Sequence, residues 1–258
     1  MQQICSFLLP VIDVTICGFR IIWYRNASVR QNTEKGDFMN SIPKTVDLFD
    51  NSHSIANALL EECEYPYEAI SRIRDFIEDY ARLLDRSYLE IKKGVFVFES
   101  ACISPFATLV GPLIIGRNAE IRSGAILRGN VIVGDGAVIG NSSEIKNSII
   151  LDEGKLPHYN YVGDSIIGFR AHMGAGSIAS NLRLDKREVV INSENSKICT
   201  GLKKLGVMLG DYAEVGCGSV LSPGTIIGRE SLIYPLTHVR GVIPERSVYN
   251  GKSLMDRR

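Results

Sequence analysis

His158 is the residue whose type and setting could do chemistry on its own, because it stands in the run Pro157-His158-Tyr159-Asn160-Tyr161. Imidazole is the side chain whose ordinary pKa, about 6.5, suits proton abstraction near neutrality. One reading of His158 is a general base, and the other is a surface or structurally satisfied histidine. The flanking proline, tyrosines and asparagine leave both open. His172 lies beside Met173 and reads as an outward-facing residue of a repeat, while His53 and His238 have no chemical company. A second polar stretch, 181–204, carries Arg183, Asp185, Lys186, Arg187, Glu188 and Lys197. The six cysteines include no Cys-x-x-Cys pair, so neither a zinc site nor a disulfide framework is expected. Their scatter points to a reducing, cytoplasmic setting, with Cys102 and Cys217 as small repeat side chains.

The elements that must position these groups are legible in a period of six. Val97, Ile103, Leu109, Ile115, Ile121, Leu127, Val133, Ile139 and Ile145 are all aliphatic at that spacing. Small residues precede many of them by two, among them Ala101, Ala107, Ala119, Ala125 and Ala137. Residues two apart on a strand share a face, so each pair points inward while the residue between them meets water. Short strands separated by corners at this spacing predict an all-β solenoid, a parallel β-helix of hexapeptide repeats. The pattern returns at Ile167 and Met173, and again from Leu209 to Val239. Between Ile145 and Ile167 the spacing is not a multiple of six, which predicts a loop leaving the coil with Leu156–Tyr161 in it. The stretch 181–204 predicts a second loop. Interruptions of a monotonous scaffold are where function concentrates.

Three parts are expected: an atypical, poorly ordered extension over 1–45, a helical cap over 46–92 and the solenoid over 93–258. In the first, Ile4–Trp23 is apolar but broken by Pro10, Asp13 and Arg20, so no membrane span is expected. Met39 offers a natural start. In the second, Ile70, Ile73, Ile77, Tyr80 and Leu84 form an amphipathic stripe, suited to covering the open N-terminal end of the solenoid. A formal net charge of zero argues against a general nucleic-acid binder.

Three blocks are more specific than the period. Glu144-Ile145-Lys146, then Pro157-His158-Tyr159-Asn160-Tyr161-Val162-Gly163-Asp164-Ser165-Ile166-Ile167-Gly168, then Met173-Gly174-Ala175-Gly176 with Asn181 resemble the C-terminal half of sugar-1-phosphate nucleotidyltransferases. The chain looks above all like the left-handed β-helix acetyltransferase domain of bifunctional N-acetylglucosamine-1-phosphate uridyltransferases and like its archaeal thymidylyltransferase relatives. The resemblance runs from about Val97 to Ser253 and implies a left-handed coil, a homotrimer and an acetyl-CoA-dependent acyltransferase. Acetyl would pass to the amine of an amino-sugar 1-phosphate, without a metal.

By the same resemblance His158 is the general base, Glu144 orients it, and Arg128, Lys146 and Tyr161 hold the sugar phosphate. Asn181, near the acetyl group and the pantetheine arm, would join the catalytic residues, and it and Ala175 would contact the coenzyme. Departures fall at His172 (asparagine in the bacterial enzymes), Leu182 (tyrosine), Cys217 (serine), and Arg187 and Val190 (lysines in the archaeal relatives). His172 and Arg187 accordingly belong with the substrate residues, and Leu182 and Cys217 with the cofactor residues. Lys203, Lys204, Arg229 and Arg240 are candidates for the coenzyme's phosphates. This sequence contains no Gly-rich phosphate loop of a nucleotidyltransferase domain, so that activity is not expected. The alternative function is a non-catalytic sugar-phosphate-binding subunit that partners a separate nucleotidyltransferase, and a third is a purely structural trimer.

Overall fold

The computed structural model describes residues 41–257 apart from Asn51, together with the backbone of a short antiparallel pair, Thr15–Ile16 with Phe19–Arg20. That pair belongs to a separate compact unit, Met1–Lys35. The expectations for the extension and for Met39 otherwise lie outside the described residues. Ile42 and Thr45 are buried and belong to the folded body, so that body begins before the expected boundary at 46.

From Val95 onward the chain coils as a parallel β-solenoid of about nine turns. Each complete coil supplies three strand positions. Ile121, Leu127 and Val133 fill the interior from the three positions of one coil, and Ile139, Ile145 and Ile150 do so from the next. The residues of the six-fold period are the core of the fold, each large aliphatic contributing about 1.5–3 kcal/mol by burial. Antiparallel strands lie along the outermost coils. Tyr88–Lys92 pairs with Val95–Phe98 at one end, and Leu254–Asp256 pairs with Ser247–Tyr249 at the other.

The expected loop around His158 does not exist. Leu156 stays in the core, inside the regular strand Lys155–His158, which pairs in parallel with Val138–Asn141. The period breaks because one corner is shortened twice. The ladder of Glu144–Ile150 with Ile126–Val133 skips a residue between Lys146 and Ser148. The next coil is shortened at the same corner, where Asn147 (φ 47°) and Asp164 (φ 49°) turn the chain in the left-handed region. Asn and Asp tolerate that conformation better than most residues, so two tight corners take the place of a loop.

The second interruption does leave the coil. Ile166 pairs with Met208, and the chain between them forms an antiparallel hairpin of Val190–Asn192 with Lys197–Cys199. Its Val189 and Ile191 are buried against the outward face of the solenoid, in one cluster with Ile226. The helical segment also lies on this flank, not over the open end where the sequence suggested it would sit. Its helices Thr45–Leu48, Asn57–Glu61 and Ile73–Tyr80 and the 3-10 turn Pro66–Ser71 bury Leu60, Ile70, Ile73 and Ile77 beside Ile114, Ile132 and Ile149. That outward column is apolar on successive coils, so the amphipathic stripe finds its complement along the wall.

Candidate functional site

His158 sits at a corner of the solenoid, on the surface. Its backbone N–H donates to Asn160 Oδ1 at 3.1 Å, and its carbonyl accepts from the Gly176 N–H at 3.0 Å. Among the described residues no hydrogen bond or ion pair reaches the ring itself. Coil pairing puts Ala175 and then Cys217 above His158 in one column, because Lys155, His172 and Glu214 stand in register three positions earlier. The next residues around this corner, Tyr159, Gly176 and Gly218, all have positive φ. A Cβ added at Gly176 would meet nothing within 4 Å, so the lane beside the imidazole is open.

The following strand face carries the cations. Arg128 and Lys146 are register partners on adjacent coils, as are Glu144 and Tyr161. Residues two apart share a face, so all four point outward together. Arg128 Nε donates to Glu144 Oε1 at 2.7 Å, and Lys146 Nζ lies 3.5 Å from Asp164 Oδ2. Glu144 therefore engages Arg128, and among the described residues no hydrogen bond links it to the His158 ring. Tyr161 stands three residues along the same coil from His158, around the corner that Tyr159 turns. Burial pushes the Tyr161 phenol above its ordinary pKa, helped by the Glu144 and Asp164 carboxylates and opposed by a hydrogen bond from Asn181 and by Arg128.

At the far corner a polar ladder climbs the coils. Asn130 Nδ2 donates to Asn147 Oδ1 at 3.0 Å, Asn147 Nδ2 donates to Asp164 Oδ1 at 2.7 Å, and Asn181 Nδ2 donates to Asp164 Oδ2. Asp164 and Asn181 are both buried. A Cβ at Gly163 would stand 2.5 Å from Asn181 Nδ2 and 2.7 Å from Tyr161 Oη, so glycine leaves the room in which these side chains meet. Sequence reasoning assigned no role to Asp164 or Asn160. The signal for Asp164 was an Asn-Asn-Asp series at coil spacing.

The remaining candidates lie apart. His172 Nδ1 is 2.9 Å from Glu214 Oε2, on the flat face before the His158 corner. Arg187 is exposed in the projecting segment, and Leu182 forms an isolated antiparallel bridge with Lys204 at its base. Arg229 pairs with buried Asp211 at 3.3 Å, whereas Lys203, Lys204 and Arg240 are exposed. Cys217 is a free, exposed thiol. His53 stacks on Phe169 with centroids 3.9 Å apart, and His238 Nε2 lies 2.8 Å from Ser222 Oγ. No helix among the described residues is long and apolar enough to cross a membrane.

The GMPPB C-terminal domain family matches residues 109–202. The bifunctional sugar-1-phosphate nucleotidylyltransferase/acetyltransferase of Sulfurisphaera tokodaii is 36% identical over 195 residues, covering 71% of this chain and 41% of that protein. The bifunctional protein GlmU of Methanococcus maripaludis is 41% identical over 85 residues, 33% of this chain and 20% of that protein. The chain thus spans 41% of the length of the first of these curated relatives and 20% of the second. Among solved structures, GDP-perosamine N-acetyl transferase from Caulobacter crescentus matches at TM-score 0.30 and 20% identity, over 72% of this chain and 65% of that one. Over the matched residues the chain is similar to GlmU-like bifunctional sugar-1-phosphate nucleotidylyltransferase/acetyltransferases.

Proposed function

We propose that the protein is an acetyl-CoA-dependent N-acyltransferase of sugar-phosphate or nucleotide-sugar metabolism, acting on the amine of an amino-sugar 1-phosphate. The observation that carries this reading is the exposed His158 ring, free of partners among the described residues. It stands on a coil whose next strand face presents Arg128, Lys146 and Tyr161. Homology to bifunctional proteins with an acetyltransferase activity in their names supports the transfer of an acetyl group.

In the proposed reaction the acceptor's amine nitrogen attacks the thioester carbonyl while His158 takes a proton from that nitrogen. The C–S bond breaks, and the coenzyme leaves as a thiolate that takes up the proton. Arg128, Lys146 and Tyr161 hold the phosphate through charge-assisted hydrogen bonds. Within the Gly174–Gly176 turn the Ala175 N–H is the donor left for the developing oxyanion, because those of Gly174 and Gly176 donate to the Val215 and His158 carbonyls. The small Ala175 and Cys217 side chains leave that lane clear for the pantetheine arm, with Asn181 and Leu182 on the coenzyme's path. The exposed strand face, with Ile126, Ile178 and Val220 outward, suits association as a homotrimer. Free cysteines suit a reducing compartment, and we place the enzyme in the cytoplasm.

The test is release of free thiol from acetyl-CoA in the presence of glucosamine 1-phosphate, using the purified full chain. Transfer that falls about 10²–10⁴-fold in His158→Ala is expected. Equal rates in variant and parent would reject His158 as the base. Binding of the sugar phosphate with no binding of acetyl-CoA would favour the non-catalytic subunit.

A further inference from the structure

We infer that Asp164 is a positioning residue that, through Asn181, makes the Tyr161 hydroxyl a hydrogen-bond donor toward an anionic ligand oxygen. The inference rests on the proposed reading of Tyr161 as a phosphate ligand and adds the element that sets its polarity. An ionised carboxylate can only accept. Asp164 is 4% exposed, and its two oxygens take Asn147 Nδ2 on one side and Asn181 Nδ2 on the other, with Lys146 Nζ 3.5 Å away.

A primary amide has a donor end and an acceptor end. Asp164 therefore decides which end of Asn181 faces inward: its NH2 group does. That group has a second hydrogen. Asn181 Nδ2 and Tyr161 Oη converge on the one point a Gly163 Cβ would take, which presents that hydrogen to the phenolic oxygen, and the Asn181 hydrogen bond works against the upward shift of the Tyr161 pKa. With its oxygen already accepting, Tyr161 is left with its own O–H hydrogen to give outward. On that side stand Arg128 and Lys146, on the neighbouring coils of the same face. Gly163 lets the two side chains approach, as the clash of any added Cβ with both of them shows.

The relay predicts an effect opposite in sign to simple electrostatics. Replacing Asp164 by Asn removes a negative charge beside Lys146, which on charge alone should tighten anion binding. The relay predicts weaker binding. An amide at 164 turns an N–H toward Asn181, Asn181 turns its oxygen inward, and that oxygen takes the Tyr161 proton. Tyr161 then shows only lone pairs to the ligand.

The experiment is a double-mutant cycle on the full chain, read by isothermal titration with glucosamine 1-phosphate and, separately, inorganic phosphate. Asp164→Asn is expected to weaken sugar-phosphate binding about tenfold in the parent background, the loss of one hydrogen bond to a charged group. In Tyr161→Phe it should weaken it no further. Asn181→Leu, which cuts the same relay at its other link and leaves Asp164 with Asn147 and Lys146, should show the same dependence on Tyr161. It also carries the test if Asp164→Asn does not fold. Equal weakening in both backgrounds, or tightening in both, overturns the relay. If the parent binds neither probe, the relay and the acyltransferase reading fall together. Coupled binding without acetyl transfer would keep the relay and reject the acyltransferase, whereas transfer with additive effects would do the reverse.

Discussion

The side-chain oxygen of Asn160 accepts the backbone N–H of His158 at 3.1 Å, while the amide nitrogen of the same residue donates to the Gly174 carbonyl at 2.9 Å. One side chain, 2% exposed, thus fastens the corner that carries His158 to the turn above it that carries Ala175. It also donates to Ser177 Oγ at 3.1 Å.

Asn160→Leu keeps the size of the side chain and removes those bonds. Two or more polar groups then lose their partners, at about 1–3 kcal/mol each. The variant should melt several degrees lower by differential scanning calorimetry, and its acetyl transfer should fall with the acceptor Michaelis constant little changed. An unaltered melting temperature would mean that other groups hold this corner.

Gly163→Ala tests the crowding beneath Tyr161. The two atoms its Cβ would strike belong to the ends of side chains, so the fold should survive while Asn181 and Tyr161 are pushed aside. Sugar-phosphate affinity should drop about tenfold or more with circular dichroism unchanged. Retained affinity would show that neither side chain needs its place.

Cys217 supplies a footprint of the coenzyme. It is exposed and shares a corner with His158 and Ala175, whereas Cys63 is buried. Coenzyme A should slow alkylation of Cys217 and leave Cys102 and Cys199, also exposed, reacting as before. Peptide mass spectrometry after a timed iodoacetamide pulse reads the result. Equal labelling of Cys217 with and without saturating coenzyme would remove it from the binding lane.

Asp152 gives the pH dependence a sign. Burial holds its carboxyl above the ordinary value, while a hydrogen bond from the Asp135 N–H works the other way. The folded protein therefore binds this proton more tightly than the unfolded chain does. The group's contribution to stability is present at low pH and is lost as pH rises from about 4 through the raised folded value. Asp152→Asn removes the titration and keeps an oxygen for the Asp135 N–H. Its melting temperature relative to the parent should rise between pH 4 and 7 and level off beyond. A constant difference across that range would contradict the assignment.

The spacing of Val97, Ile103, Leu109 and their successors revealed the coil because each interior position recurs regardless of what lies outside it. The same reasoning misread the break after Ile145. A missing residue and an added loop both disturb a period, and only the strand register, shifted between Lys146 and Ser148, tells them apart. The helical stripe was visible, but its docking place was not. The apolar column Ile114, Ile132, Ile149 faces outward, and strand alternation in a narrow coil marks those positions as exposed until a neighbour covers them. At the candidate site, residue type and setting pointed to His158 alone, and only the family resemblance pointed to Arg128, Lys146 and Tyr161. Asn160 and Asp164 escaped notice because their work is done across coils, between residues whose nearness arises only when the chain has wound.

The counter-running strands Tyr88–Lys92 and Leu254–Asp256 act as stoppers. A stack of parallel rungs could otherwise lengthen by adding another molecule at its tip, as fibrils do. With one lane at each end occupied in the opposite direction, a further parallel coil finds no strand of matching direction there to continue.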